Sequence, residues 1–298
     1  SLDYSGKGRE QNITARLLSS KARMLERNKV SVRRVSDLVG EFRAVLFSPE
    51  HLSLIKDGPA ERRQFLDIAV SGSEPLYLRC LQRYHQILKQ RNALLKKAAE
   101  DPRVFDETGD VWSVQLAREA AVIAAYRYRY VGKAETYVKE CFAEMTGERE
   151  VPVLRYLGAA KEDVGLYGDP AALEAFLLRK LRENVAREIA AGATLYGAHK
   201  DDVEIELNGK SARSYCSQGQ QRSLALALKM AEGEICREDC GEYPVFLFDD
   251  VLSELDGARR EYLLRKIRGR QVILTTCERD SAPAGRRIFV KNGVFSEG

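Results

Sequence analysis

Histidine and cysteine are too sparse and too scattered here to build a metal centre. The 298 residues include three His and six Cys. No C-x-x-C pair occurs among Cys80, Cys141, Cys216, Cys236, Cys240 and Cys277. Cys236 and Cys240 stand one helical turn apart but lack two further ligands nearby, which argues against a structural zinc site. All six read as reduced thiols of a cytoplasmic protein rather than as a disulfide framework. No run approaches the roughly 20 apolar residues of a membrane span. No basic segment followed by an apolar stretch signals secretion. The phosphate-loop pattern G-x-x-x-x-G-K-[ST] is also missing. Ser5-Gly6-Lys7-Gly8 is too short for it, with no apolar strand before it and no apolar helix after it. Charge is nearly balanced at +4, which does not by itself announce nucleic acid.

What the chain does have is a sizeable apolar fraction, 44%, beside 31% charged residues, which suits a core with long exposed helices. Its length admits two domains. The small excess of positive charge is concentrated at the start. Residues 1–40 carry nine Lys and Arg against four acids, so the remainder is close to neutral. Such a patch can neutralise phosphates, although solvated strand faces would show the same composition.

The densest chemistry lies between Ser217 and Asp256. Val245-Phe246-Leu247-Phe248 followed by Asp249-Asp250 predicts a buried strand with two carboxylates where it leaves the sheet. Ligands of open α/β sheets bind at that end, and paired acids suit a hydrated Mg²⁺ that also takes phosphate oxygens. Ser217-Gln218-Gly219-Gln220-Gln221-Arg222 predicts a helix entrance with free N–H groups, a ready anion site. Ser217 and Gln220 also form a capping box, which a helix can use for its own stability alone. In this order and spacing the two blocks resemble the signature motif, Walker B strand and D-loop of ABC-type ATPase heads.

Residues 11–35 alternate in short runs around Glu26-Arg27-Asn28-Lys29 and predict an antiparallel meander. Residues 44–48 predict a short buried strand, and Pro59 opens a helix carrying Arg62 and Arg63. From Pro75 to about Ala191 the apolar spacing predicts two long antiparallel helices, broken near Asp101-Pro102 and Thr108-Gly109-Asp110, and a third from about Pro170. Tyr126-Arg-Tyr-Arg-Tyr130 on such a helix points around the cylinder. It therefore cannot form one stacking platform, and core and snorkelling roles are expected. Val203 to Leu207, the turn Asn208-Gly209 and a return through Tyr215 predict a hairpin. A buried helix from Gln218, the strand at Val245, a helix from Gly257 and a strand at Gln271 to Thr275 predict a parallel β-α-β unit. A last hairpin turns at Asn292-Gly293.

Two further stretches carry a family resemblance. Pro49-Glu50 through Arg62-Arg63-x-Phe65-Leu66-Asp67, and Gly197-x-His199-Lys200-Asp201-Asp202, resemble hallmarks of the RecF family of recombination-repair ATPases. Asp57-Gly58-Pro59 departs from that family's usual Gly-x-Pro. The resemblance implies an α/β fold: an ABC-ATPase-like head, a mixed sheet with flanking helices, and an inserted α-helical arm. Residues 1–72 and 193–298 would form the head and residues 73–192 the arm. It implies ATP and Mg²⁺ as cofactors and an ATP-dependent homodimer without membrane contact. It also implies DNA binding at gaps and junctions, and recombinase loading with RecR and RecO. Asp249 would hold Mg²⁺ through water, and Asp250 would orient the attacking water of a slow hydrolysis. Ser217, Gln218, Gly219 and Gln220 would meet the ATP held by the other subunit. Ser253 and Asp256 would lie in the D-loop, and Thr276 would take the switch position usually held by His. Arg33, Arg34, Arg62 and Arg63 are the candidate DNA contacts. The family's phosphate loop would precede Ser1, so this stretch alone is expected to be inactive. Two alternatives stand beside it. One is another ABC-head chromosome-maintenance protein, although such proteins have much longer coiled coils. The other is a non-catalytic module that docks DNA or protein.

Overall fold

The computed structural model describes residues 1–6, 8–17, 23–147, 149–277 and 285–297. Lys7 and Lys21 of the basic N-terminal region lie outside them. The chain opens as an antiparallel meander: β1 (Leu2–Gly6), β2 (Arg9–Leu17), β3 (Arg23–Arg27) and β4 (Val30–Val32). Asn28 and Lys29 both take positive φ at the β3–β4 turn. The predicted meander is thus present, with β1 as an additional strand.

Next comes β5 (Ala44–Phe47), followed by the short helix α1 (Ser53–Lys56) and by α2 (Pro59–Ser73). The long helices are α3 (Pro75–Ala98) and α4 (Arg103–Thr146), packed together. Thr108-Gly109-Asp110 is no break, since α4 runs straight through it. A Cβ at Gly109 would sit 2.4 Å from the Phe105 ring, so the glycine makes room for packing rather than for a turn.

The stretch expected to be wholly helical also holds β6 (Pro152–Leu157). Its third helix is split at Asn184 into α5 (Pro170–Glu183) and α6 (Val185–Ala191). β6 pairs antiparallel with β7 (Asp202–Leu207), which turns through Asn208-Gly209 into β8 (Lys210–Ser211). The return strand is only two residues long, because residues 212–215 form the short helix α7 (Ala212–Tyr215).

Then follow α8 (Gln218–Cys240), β9 (Val245–Asp249), α9 (Gly257–Lys266) and β10 (Val272–Thr275), and finally the hairpin β11 (Ile288–Lys291) with β12 (Val294–Glu297). β9 is the middle strand of a parallel sheet ordered β10-β9-β5, so the predicted β-α-β unit is present. No helix among the described residues is long and apolar enough to cross a membrane.

α8 is the central helix of the core. Residues Gln221 to Cys236 are buried without exception save Arg222, and α8 packs on α4, α2 and β5. Gly233 lies against Phe246, where a Cβ would stand 2.4 Å from the ring. Phe246 and Phe248 stack behind it at 6.0 Å between centroids.

The RecF-like stretches at 62–67 and 197–202 meet in space. Arg62 of α2 is bidentate to Asp202, at 2.7 and 3.0 Å, and also donates to the carbonyls of Leu54 and Asp57. Arg63 donates to the Asp201 carbonyl at 2.7 Å. Arg127 of α4 is buried between both stretches. It donates to Asp67 at 2.7 Å, to the Ala198 carbonyl at 2.6 Å and to Asp201 at 3.2 Å. Tyr77 and Tyr156 donate their hydroxyls to Asp67 and Asp201 respectively. Arg127 is therefore no snorkelling residue but the centre of a buried ion cluster.

Burial pushes the Asp201 carboxyl up to about 6 even with Arg127 beside it. His199 is drawn down to about 4 by burial. Tyr84 accepts from the His199 backbone N–H, so its own proton goes to Nδ1 at 2.5 Å. Nε2 is left to donate to the Thr194 carbonyl at 2.9 Å. Gly197, at φ +131°, passes so close to the Tyr84 hydroxyl that a Cβ would lie 2.6 Å away.

Candidate functional site

Strand pairing determines which way the carboxylates of β9 point. Side chains alternate along a strand, and residues in register share a face. Val45, Phe47, Phe246 and Phe248 turn toward α8 and are buried. Leu46, Leu247 and Ile273 are in register across the three strands on the opposite face. Leu46 is 45% exposed and Ile273 59%. Parallel sheets normally bury both faces, so this apolar row is open on the side that also carries Asp249 and Thr275.

Asp249 ends β9 and is exposed. Thr275, its partner in register on β10, donates its hydroxyl to Asp249 Oδ1 at 2.6 Å. The same hydroxyl accepts from the Asp250 backbone N–H at 3.1 Å, and the Thr275 carbonyl accepts from that N–H at 3.2 Å. Asp250 sits in the left-handed region, φ 51° and ψ 28°. This uncommon backbone for a non-glycine residue is held by Thr275 on one side and by Ser253, which donates to the Asp250 carbonyl at 2.8 Å, on the other. Among the described residues Asp250 Oδ1 is buried without a hydrogen-bond partner. Such an orphaned acceptor costs about 1–3 kcal/mol and awaits a donor or a hydrated ion. No group of three or more His, Cys, Asp and Glu among the described residues is arranged to hold a metal. A hydrated Mg²⁺ needs only one or two carboxylates together with phosphate and water, and this donor set fits that demand.

The helix entrance is formed as a capping box. Ser217 Oγ accepts from the Gln220 backbone N–H at 3.2 Å, and Gln220 Oε1 accepts from the Ser217 N–H at 2.7 Å. Ser217 and Gln218 are exposed, Gly219 is half-buried, and Gln220 also donates to Glu150. Asp256 caps α9 by accepting from the Arg259 N–H at 3.0 Å. Ser253 and Asp256 are exposed, and Thr276 is half-buried one residue beyond β10. The hydroxyl that touches both carboxylate residues belongs to Thr275.

Arg33 and Arg34 are exposed just after β4. Arg62 is placed otherwise than a DNA contact requires. It is 8% exposed and its guanidinium is committed to Asp202 and two carbonyls. Arg63 is half-buried against Asp201.

Sequence reasoning passed over two links between the helix entrance and the residues after β9. Arg259 donates from Nε to Ser223 Oγ at 2.6 Å, pairs with Asp256, and lies against Gly219. Arg222 reaches Glu254 at 2.6 Å. The spacing of Gly219 and Ser223 shows only that they share one side of a helix; that Arg259 and Glu254 lie opposite cannot be read from spacing.

No protein-family model matches the chain. It is 36% identical over 273 residues to the DNA replication and repair protein RecF of Ruminiclostridium cellulolyticum, a match that covers 92% of this chain and 73% of that protein. It is 38% identical to the RecF of an Exiguobacterium species, covering 91% and 72%. The RecF of Acidothermus cellulolyticus is 36% identical over 95% of this chain and 77% of its own length. The chain belongs to the RecF family. Its fold agrees: a RecF structure, described as the recombination mediator RecF-ATPrS in the RecFOR pathway, superposes with a TM-score of 0.91. That pairing has 30% identity and covers 99% of this chain and 78% of the other. A second RecF structure, with ATP, matches at a TM-score of 0.86 and 30% identity. The expected α/β class, a RecF-type head carrying inserted helices, is the observed one. RecF membership also places the chain among DNA replication and repair proteins.

Proposed function

We propose that this chain supplies one half of a RecF nucleotide site: the carboxylate wall and the signature wall of an ATP-driven clamp on DNA. The observation that carries the reading is the β9 terminus. Two consecutive acids leave an open sheet face there, one with an orphaned oxygen, held in place by the Thr275 hydroxyl. Asp249 would meet a water-bound Mg²⁺, and Asp250 would orient the attacking water. Ser217 and Gly219 would face the terminal phosphate of a nucleotide held by a second copy, with Arg259 positioning the turn against Asp256 of the D-loop. The open row Leu46-Leu247-Ile273 is where the phosphate-cradling segment would pack. No such motif occurs within residues 1–298, and signature and carboxylate groups only complete a site.

DNA at gaps and junctions is the proposed substrate surface, with RecR and RecO as partners in recombinase loading. Arg33 and Arg34 provide exposed cations for phosphate contact. The test has two arms. The chain alone should show no measurable ATP turnover, and robust turnover abolished by Asp250→Asn would overturn the half-site reading. It should bind gapped duplex in a salt-dependent way that Arg33→Ala with Arg34→Ala weakens. Unchanged affinity would remove those arginines from the DNA surface.

A further inference from the structure

α8 ends on two cysteines, Cys236 and Cys240, the first of them roughly 27 Å along the helix from Gln218. They stand at i and i+4, so their side chains lie on one side of the helix. Both are free thiols; Cys236 is buried and Cys240 half-buried. The Cys236 S–H donates to the Cys240 sulfur, a bond that favours its protonated form. Cys236 also lines a cavity of about 270 Å³ between the start of β5, α2 and α8. Val39 and Ile68 border the same cavity and are exposed, so it opens to solvent. Spacing decides what can join the two sulfurs. Cβ atoms four apart on a helix are about 5–6 Å from each other, whereas a disulfide wants about 3.5–4.5 Å. A direct S–S bond would distort the last turn, and a bridge through one additional atom relieves the mismatch.

We propose that Cys236 and Cys240 form a chelating dithiol for a trivalent arsenical, with the arsenic atom spanning the two sulfurs. Trivalent arsenic takes three substituents and brings the third, a hydroxyl or a carbon group, with it. A four-coordinate cation such as Zn²⁺ needs further protein ligands, and no group of three His, Cys, Asp or Glu able to hold a metal occurs among the described residues. Protonation favours the same ligand. Burial, and then the Cys240 thiol beside it, push the Cys236 thiol up to about 12; Arg43 opposes the rise and Glu232, one turn earlier on α8, adds to it. Tyr130 of α4 lies within electrostatic reach as well. A metal cation must displace the thiol protons against that rise. The arsenical condenses with neutral thiols instead: two As–OH bonds break, two As–S bonds form, each thiol proton departs in a water molecule, and arsenic stays trivalent throughout. The apolar wall of the cavity, with Phe42, Ala69 and Ile235, suits the organic group of an aryl arsenical.

The test is a titration of the folded, reduced chain with phenylarsine oxide, read by intact mass and by the loss of titratable thiols. One phenylarsenic unit should add per chain and two thiols should be lost. The dithiol 2,3-dimercaptopropanol should reverse the adduct, and excess 2-mercaptoethanol should leave it in place. Cys216→Ser with Cys277→Ser, which removes the two other cysteines that are not buried, should bind as the wild type does. Cys240→Ser should weaken binding by roughly a hundredfold or more, the advantage of two linked contacts over one, and Cys236→Ala should match it. Affinity for the arsenical should be flat between pH 6 and pH 8, whereas Cd²⁺ should gain up to about a hundredfold per pH unit from displacing two protons. Binding that survives Cys240→Ser and Cys236→Ala, or that is lost with Cys216 and Cys277, would overturn the dithiol assignment. An affinity for the arsenical that climbs with pH as that of Cd²⁺ does would overturn condensation with protonated thiols.

Discussion

Replacing Arg127 by Met would show how much of the fold depends on the buried cluster where the 62–67 and 197–202 stretches meet. Met keeps most of the side-chain length and removes the charge and all five N–H donors. Two carboxylates then lose their cation: Asp201, with its side chain 4% exposed, and Asp67, at 21%. Each retains one donor, the hydroxyl of Tyr156 or of Tyr77. Removing one partner of a buried ion pair costs about 3–5 kcal/mol, a large share of the roughly 5–15 kcal/mol that holds a domain together. The penalty should depend on pH in a defined direction. Asp201 is already pushed up to about 6 by burial, with Arg127 opposing the rise. A carboxyl raised above its unfolded value contributes stability that is present below about 3.8 and is lost as pH rises through about 6. Across that interval the wild-type loss is about 3 kcal/mol, at about 1.4 kcal/mol per unit. Without Arg127 the folded value climbs further and the loss continues toward neutral pH. The variant's deficit should therefore be larger at pH 8 than at pH 5.5. His51 and His199, both drawn down to about 4, titrate with the opposite sign. They are present in both proteins and largely cancel in the difference. Urea unfolding of the two proteins at the two pH values measures it. A deficit under about 1 kcal/mol at pH 8, or one that does not shrink at pH 5.5, would refute the buried-cluster account.

Other consequences follow from single contacts. His199→Gln keeps a donor for the Thr194 carbonyl and removes a group that must charge on unfolding. His199 gives stability that is full above about 6.5 and is lost as pH falls toward about 4, so the variant's melting temperature should fall less than wild type between pH 7 and pH 5. Gly233→Ala would force a methyl into the Phe246 ring, costing about 1–3 kcal/mol by overpacking; thermal unfolding reads this directly. Asp250→Asn should fold with an unchanged melting temperature, since Asn tolerates the left-handed backbone, whereas Asp250→Ala should cost about 1 kcal/mol. Arg33→Ala with Arg34→Ala should lower the salt slope of DNA binding by about 2, at about 0.9 per phosphate contact on B-form DNA.

The parts of this molecule that were legible in its sequence are those governed by local rules. Asn208-Gly209 and Asn292-Gly293 specify their turns because both positions need positive φ. The apolar run at Val245 specifies a central strand, and Ser217 with Gln220 specifies a cap. What escaped prediction depends on long-range partners. Arg62 and Arg63 look like surface cations because nothing near them in the chain shows that Asp202 and the Asp201 carbonyl lie opposite. β6 hides inside a helical stretch because its partner β7 comes some fifty residues later. Gly109 looks like a breaker because the ring that fills its missing side chain is known only after packing. In the site, spacing identified the two acids but not Thr275 as the group that fixes them, since that contact requires the register of β10 on β9.

That register also explains how the proposed half-site can be preorganised. The two faces of the β10-β9-β5 sheet do different work. On one face Phe246 is wedged against α8 at Gly233 with Phe248 buried and stacked beside it, so β9 cannot slide without opening the most buried part of the core. A slip of one residue would exchange the faces entirely. The opposite face inherits its geometry from that packing: Asp249 and Thr275 are held in register by the phenylalanines behind them. The order is thus paid for by burial on the closed side, which leaves the open side, with its apolar row and its orphaned Asp250 oxygen, able to spend its interactions on whatever binds there. Displacing Phe246 on the closed face, as overpacking by Gly233→Ala would, should therefore disturb ligand response at Asp249 and Gly219 together, although neither residue is touched.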